Sequence, residues 1–586
     1  MVWRKRFETK RRSERRFDRL TFLSVVIFVF VAAITYRLFV LQVFQHGFYA
    51  ALASDQHDIY EKLVPQRGEI YVHDRYSGSD LYSIATNKTY QLVYAVPKKI
   101  TKVEETADKL APILELEAEE ILPRLQKADD LYEPLKHQVP EETVTKIKEL
   151  KLDGIEFSDE SYRYYPEGEY FSHVTGFVGY QGDERKGQYG IEGYFDKELA
   201  GQAGFFQAQL DAGGRWITMG DTKLQEAVDG TDVVLTLDRT IQFTACDKLA
   251  KAVEKHGADS GSLIILDPKT GAIVAMCNVP DFDPNKYNEV EDQNIFINRA
   301  IYNQYEPGSV FKPFTMASAI NEGAVGPNSK YVDEGSFQVG KYTIRNADNK
   351  VYGEQTMTEV LENSINTGAI YASEQIGNEK FYEYVKSFGF GEATDITLDS
   401  ESTGDISSLS KMKDIYRSTA SFGQGITVTP LQIAKAFLAI ANGGKLLQPY
   451  IVDEVISDNG VKVKTQPKEI RQVISSKTAA TLGAMLVRVV ENGHGKQAGV
   501  EGYYIAGKTG TAQIPNTDRA GYDPNRTIGT FAGYGPVDNP SFVMVVKLDV
   551  PKDVIWAESS AAPLFGDIAE FLLNYYEVPP TRTDQE

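Results

Sequence analysis

The stretch Glu306-Pro307-Gly308-Ser309-Val310-Phe311-Lys312-Pro313-Phe314 joins a turn, a helix start and a nucleophile–base pair. Pro307 and Gly308 supply the turn, and the apolar run behind Lys312 (Phe314, Met316, Ala317, Ala319, Ile320) predicts a buried helix. Ser309 and Lys312 stand three residues apart, so on a helix they share a face and their side chains meet. A serine hydroxyl is a poor nucleophile until a base takes its proton, and a lysine becomes that base once its pKa falls toward neutrality. Burial, the positive end of the helix and a second nearby cation all push it that way. The Ser309 backbone N–H, at the helix start, is placed to help hold an oxyanion. The bland alternative is a serine near a helix N-terminus followed by a surface lysine. The same spacing recurs at Ser408/Lys411 and Ser410/Lys413. Those copies lack both the turn and the apolar helix, and a solvated loop is expected there.

The chain around this stretch has 586 residues, too many for one ordinary domain. Hydrophobic residues make up 42%, which points to packed globular domains rather than disorder. The formal net charge is −20, yet residues 1–19 hold nine Lys/Arg against Glu8, Glu14 and Asp18. The remainder is strongly acidic, which argues against a nucleic-acid partner. Residues 20–43 are nearly all apolar, with Arg37 as their charge, and are long enough to span a bilayer. The basic block before them predicts a cytoplasmic N-terminus, with everything after about residue 44 outside. A cleaved signal peptide is the alternative; the apolar run is long for one, and no small-residue cleavage site follows it. The two cysteines, Cys246 and Cys277, sit in apolar contexts and are expected to be buried thiols rather than a bridge. The seven histidines show no metal-ligand spacing, so neither a metal nor a cofactor is expected.

Residues 44–220 mix short strands with amphipathic helical patterns between 101 and 150, for example Val103, Ala107, Leu110, Ile113 and Leu114. Gly187 to Glu192 superficially resembles a phosphate loop but lacks the lysine and the preceding buried strand. Near residues 221–230 the composition turns polar and a second domain is expected to begin. Val233–Leu237 reads as a strand, and Asp238 as the N-cap of a helix to Lys255. Ser262–Leu266 and Ala272–Cys277 form a hairpin around Lys269-Thr270-Gly271. The succession of strands, hairpin, many helices and late strands predicts an α+β domain with an antiparallel sheet.

Two later segments carry chemistry. Thr356-Met357-Thr358-Glu359 matches a capping box, opening a helix toward Ser364 and Asn366, where Thr367-Gly368 can turn the chain. In the strand-like run from Tyr503 to Gln513, Lys508, Thr509 and Thr511 line one edge, and Gly507 and Gly510 leave room for a ligand backbone. Ser457-Asp458-Asn459 repeats the Ser-x-Asn spacing, but Gly460 and its β-rich flanks make it a hairpin turn. The ordered set Ser309/Lys312, Ser364/Asn366 and Lys508-Thr509-Gly510 carries the weight that isolated triplets do not.

That set is the motif pattern of penicillin-binding proteins and serine β-lactamases. The chain resembles a class B penicillin-binding protein, a peptidoglycan D,D-transpeptidase, over almost its whole length. Arg67 to Tyr71, His173 to Gly179, Gly187 to Glu192, Leu266 to Met276 and Gly423-Gln424-Gly425 are similar to further family motifs. The resemblance implies a cytoplasmic tail (1–19), a transmembrane helix (20–43), an elongated α+β pedestal or dimerisation domain (44–220), a penicillin-binding transpeptidase domain (221–579) and a polar tail (580–586). It implies that Ser309 is acylated by a stem peptide, Lys312 accepts its proton, and Ser364 relays a proton to the leaving D-alanine. Asn366 then hydrogen-bonds Lys312 and the substrate, Lys508 sets the electrostatics, and Thr509, Gly510 and Thr511 bind the substrate. Implied partners are peptidoglycan stem peptides, lipid-linked or on nascent glycan, together with β-lactam antibiotics. A membrane-embedded glycan polymerase of the shape, elongation, division and sporulation family is implied as well. Thr509 after Lys508 and the run from Gly529 to Pro536 resemble division-type members more than elongation-type ones. A β-lactam receptor, a β-lactamase or a structural scaffold are the alternatives. The Glu-x-x-Leu-Asn pattern of class A β-lactamases is absent between Ser364 and Lys508; Glu359 to Asn363 is the nearest approximation.

Overall fold

The computed structural model describes residues 19–39, 58–127, 130–182, 184–209, 223–516 and 521–582. They divide into two bodies, the smaller drawn from residues 1–65 and 202–228. In it, Asp58–Leu63 pairs antiparallel with Gly204–Gln209, which pairs with Lys223–Gln225. The backbone is also helical over Arg19–Phe39, and the side chains from Ile27 to Leu38 are exposed. This helix overlaps the expected span at 20–43, of which residues 40–43 lie outside the described residues, as do residues 1–18 of the basic tail. Among the described residues no helix is long and apolar enough to cross a membrane. The expected boundary at 220/221 and the last part of the polar tail, 583–586, also fall outside the described residues.

The larger body, residues 66–201 and 229–586, holds the motifs. Its first strands are β1 (Ile70–His73), β2 (Tyr82–Ala95), β3 (Glu133–Val139), β4 (Ile155–Tyr164) and β5 (Asp232–Asp238). The long β2 pairs antiparallel with β1, β3 and β4, while β1 lies parallel to β5 with Ile70 opposite Val233. One sheet thus takes strands from both sides of residue 220. Helices Val103–Leu114, Ala118–Leu125 and Glu141–Glu149 supply the apolar face expected between 101 and 150, burying Leu110, Leu114, Ile121 and Ile147 together.

A buried ion cluster ties Arg67 and Arg163 to Glu192, which is fully inaccessible. Its carboxylate lies 2.6 Å from the Arg67 guanidinium on one oxygen and 2.6 Å from the Arg163 guanidinium on the other. Burial pushes the Glu192 pKa up, but Arg163 and Arg67 outweigh it and hold the group below the usual carboxylate range. Glu192→Gln leaves two guanidinium groups without their shared partner and is expected to cost about 3–5 kcal/mol of stability in chemical denaturation. A loss under about 1 kcal/mol would contradict this account. Since the folded pKa is depressed, the contribution is present above the ordinary carboxylate range and fades as pH falls through the folded value.

Beyond β5 come α1 (Arg239–His256), capped by Asp238 accepting from Ile241 N, and the hairpin β6 (Ser260–Leu266) and β7 (Ile273–Val279). Helices α2 (Lys312–Asn321), α3 (Met357–Glu362), α4 (Asn366–Glu374) and α5 (Pro430–Ala441) follow. The strands β8 (Val452–Ile456) and β9 (Lys462–Lys464) then extend the first sheet from β5. Ser457-Asp458-Asn459-Gly460 is the turn between them, as expected. The chain ends with α6 (Ser476–Asn492), β10 (Ala506–Pro515), β11 (Tyr522–Gly535), β12 (Phe542–Asp549) and α7 (Ala561–Tyr575).

A five-stranded antiparallel sheet in the order β7-β6-β12-β11-β10 forms the centre of this half. All of β6 is buried, so both faces are covered. Leu263 and Ile265 pack with α1 and α7, while Ile264 and Leu266 pack with α2 and α5 on the other face. Helix α5 is buried almost all round and opens on a second capping box, Thr429 with Gln432. The cysteines depart from expectation: Cys246 on α1 and Cys277 on β7 form a disulfide, with Cα atoms 5.4 Å apart. Packing of α1 on β7 brings together residues 31 apart in sequence, which apolar context alone does not reveal. Closing a loop of that length contributes about 3–4 kcal/mol in the chain-entropy account.

Candidate active site

The nucleophile turn is local chemistry made rigid. Gly308 (φ +59°) starts a short 3₁₀ turn, Gly308–Phe311, which runs directly into α2 with Pro313 in the first turn, where its missing N–H leaves nothing unsatisfied. Phe311 and Phe314 anchor it in the core against Phe390, each burial stabilising by about 1.5–3 kcal/mol. The N–H of Gly308 donates to Gly423 O (3.0 Å), fixing the turn from the far side. Strand β10 presses on it from another direction. A Cβ on Gly510 would stand 2.8 Å from Val310 Cγ1 and 2.9 Å from Pro307 O. On Gly507 it would meet the Phe531 ring at 2.5 Å. The room that the sequence assigned to a ligand backbone is therefore filled by the protein itself.

Lys312 is 1% exposed, and its Nζ donates to Ser364 Oγ (3.2 Å), Asn366 Oδ1 (2.8 Å) and Ser364 O. Lys508, also buried, donates from Nζ to the same Ser364 Oγ (3.0 Å) and to Thr509 O (3.1 Å). Ser364 is reached because α3 stops at Glu362 and Ser364 takes a left-handed conformation (φ +54°) before α4 begins at Asn366. This corrects the expected turn at Thr367-Gly368, which instead lies in the first turn of α4. Behind Asn366, Thr367 Oγ1 donates to the buried Asp333 carboxylate (2.6 Å), which also accepts from Asn346 Nδ2 and Tyr352 N.

Two buried amines sharing one hydroxyl do not both carry charge at little cost. Burial first, and the Lys508 cation second, hold the Lys312 pKa well below its ordinary value. Burial pushes Lys508 down to about 7, opposed by the Glu558 carboxylate. Of the two amines, Lys312 is the one held further from its charged form by its surroundings, with the Lys508 cation contributing to that depression.

A cavity of about 330 Å³ opens above these groups, lined by Ser309, Ser364, Asn366, Thr509 and Thr511. Of the residues expected from sequence, Ser309, Ser364, Asn366, Thr509 and Thr511 face it, Lys312 and Lys508 join it from beneath through Ser364, and Gly510 packs under the nucleophile turn. The look-alike serines are elsewhere: instead of the expected solvated loop they flank and enter a 3₁₀ turn, Leu409–Lys411, anchored by buried Leu409, with Ser408 Oγ donating to Gly425 O and Ser410 Oγ to Ser407 O. Sequence reasoning missed His494, Trp556 and Glu558 on the same cavity. They sit on connections after α6 and β12, and no motif or periodicity in those connections marks them.

Residues 261–570 match the penicillin binding protein transpeptidase domain, and residues 62–235 the penicillin-binding protein dimerisation domain. The chain belongs to the penicillin-binding proteins. Its pairing of those two domains is the class B arrangement. Stage V sporulation protein D of Bacillus subtilis is 34% identical over 542 residues, spanning 92% of this chain and 82% of the relative. The peptidoglycan D,D-transpeptidase FtsI homolog of Mesostigma viride is 29% identical, with 96% and 97% covered. Among solved structures, penicillin binding protein 3 of Mycobacterium tuberculosis, complexed with aztreonam, superposes with a TM-score of 0.68 at 28% identity, covering 89% of this chain and 98% of that one.

Proposed function

We propose that this penicillin-binding protein is a peptidoglycan D,D-transpeptidase of septal wall synthesis, working through an acyl-enzyme on Ser309. The observation that carries the reading is the junction at Ser364 Oγ, where Lys312 and Lys508 meet beside Ser309 in one cavity. Ser309 Oγ attacks the carbonyl between the terminal D-alanines of a stem peptide as neutral Lys312 takes its proton. The Ser309 and Thr511 N–H groups hold the oxyanion. The C–N bond then breaks, and Ser364 passes the proton to the departing amine nitrogen. Asn366 fixes Lys312 and the substrate amide, while Thr509 and Thr511, beside the Lys508 cation, bind the terminal carboxylate. An amine of a neighbouring stem peptide attacks the ester; its proton returns through Lys312 to the Ser309 oxygen, closing the cycle.

β-Lactams enter the same site as substrate mimics, supported by the aztreonam complex of the mycobacterial relative. Residues 20–43 anchor the chain with its N-terminus in the cytoplasm, and 44–220 dock a membrane-embedded glycan polymerase. The apolar run behind a basic block supports the anchor, and a disulfide suits an oxidising extracytoplasmic compartment. Protease added to intact spheroplasts is expected to digest the ectodomain, and full protection would overturn the topology. Full-length protein supplied with lipid-linked disaccharide pentapeptide and an active glycan polymerase is expected to yield cross-linked peptides and one released D-alanine per cross-link by mass spectrometry. Polymerised but uncross-linked glycan would overturn the function.

A further inference from the structure

His494 and Glu558 stand at one end of the cavity and take no part in the acyl-transfer steps above. Glu558 lies in the connection between β12 and α7, where the neighbouring Ala557 N–H donates to Thr511 Oγ1 (3.0 Å). His494 follows α6, and its backbone N–H donates to Glu362 O (3.4 Å), two residues before Ser364. One residue therefore belongs to the wall carrying Thr511 and the other to the wall carrying Ser364. The pair joins them, His494 Nδ1 lying 2.6 Å from Glu558 Oε2.

The two side chains are 41% and 42% exposed, so they border the cavity rather than the core. A histidine–carboxylate contact this open contributes only about 0–1 kcal/mol to stability. Its position is more informative than its strength. Glu558 is the one carboxylate among the described residues lining the cavity. It is also near enough to Lys508 to act on that amine's charge. The subsite proposed for the substrate's terminal carboxylate is built from the same Lys508 with Thr509 and Thr511. A second carboxylate there would repel the substrate and compete for the same donors.

We propose that His494 is a positioning residue that holds Glu558 off the carboxylate subsite, keeping the cavity selective for substrates with a free terminal carboxylate. Without His494, Glu558 turns toward Lys508, Thr509 and Thr511 and becomes an internal competitor. This inference rests on the transpeptidase reading, specifically on the carboxylate subsite.

The test is a double-mutant cycle on the full-length protein, reading the second-order acylation constant for benzylpenicillin and for its methyl ester. His494→Ala is expected to slow acylation by benzylpenicillin about threefold, equivalent to about 0.7 kcal/mol and within the worth of an exposed pair. Glu558→Ala is expected to raise the constant modestly, and His494→Ala/Glu558→Ala to match Glu558→Ala. The methyl ester, which lacks the carboxylate, is expected to react equally with wild type and His494→Ala. A His494→Ala defect that persists in the double variant, or that extends equally to the ester, would mark a merely structural role and overturn the proposal. So would wild-type rates in His494→Ala. Failure of the wild-type protein to acylate at all would strike the transpeptidase reading itself, and the two failures are thereby distinguished.

Discussion

Ser309→Ala is expected to abolish covalent labelling by a fluorescent penicillin, whereas Ser408→Ala and Ser410→Ala leave it unchanged. The difference does not lie in the spacing, which all three share. Ser309 borders the cavity above an amine whose pKa is held well below its ordinary value by burial and by the Lys508 cation. Ser408 and Ser410 lie at a 3₁₀ turn away from the cavity, with their hydroxyls donated to backbone carbonyls. Removing an attacking oxygen leaves no route to an ester, so the loss is complete rather than partial. Mass spectrometry of labelled peptides locates the adduct, and label on either loop serine would sink the assignment.

The second large effect separates transpeptidation from hydrolysis. A chromogenic β-lactam in excess is expected to release about one equivalent in a burst, followed by near silence. Rapid hydrolysis needs a base that activates water against the acyl-enzyme. The described residues lining the cavity offer one carboxylate for that task, Glu558, and it is engaged by His494. An acyl-enzyme lasting roughly an hour corresponds to a barrier of about 22 kcal/mol, and turnover of about ten per second requires one lower by roughly 6 kcal/mol. Sustained turnover that disappears in Ser309→Ala would make this a hydrolase. Turnover lost in Glu558→Ala alone would name the base.

What could be read from the sequence was whatever its chemistry keeps local. The Pro307-Gly308 turn, the buried helix behind Lys312 and the capping box at Thr356 each lie within a few residues, and each appears where expected. The position of the break near Ser364 was misjudged because what fixes it is Lys312, 52 residues away, donating to the Ser364 carbonyl. Glycines in the Lys508 strand were legible as close-approach positions, but not what approaches: Val310 and Phe531 rather than substrate. The Cys246–Cys277 bridge, the Glu192 cluster and the His494–Glu558 pair all join distant segments through tertiary packing. No periodicity or triplet marks such pairs.

The parallel seam between β1 and β5 bears on how the catalytic half exists at all. Cut free near residue 220, it would keep every side chain of the candidate site yet lose the strand that pairs with β5 at Val233, Val234 and Asp238. Val233 and Leu235, now fully inaccessible, would border a row of unpaired N–H and C=O groups. Such a row is a template for another chain, and the fragment is expected to self-associate in light scattering while a chain that keeps residues 58–582 does not. On this account the strand Ile70–His73 shields the edge of β5, and the two halves of the sheet fold as one unit.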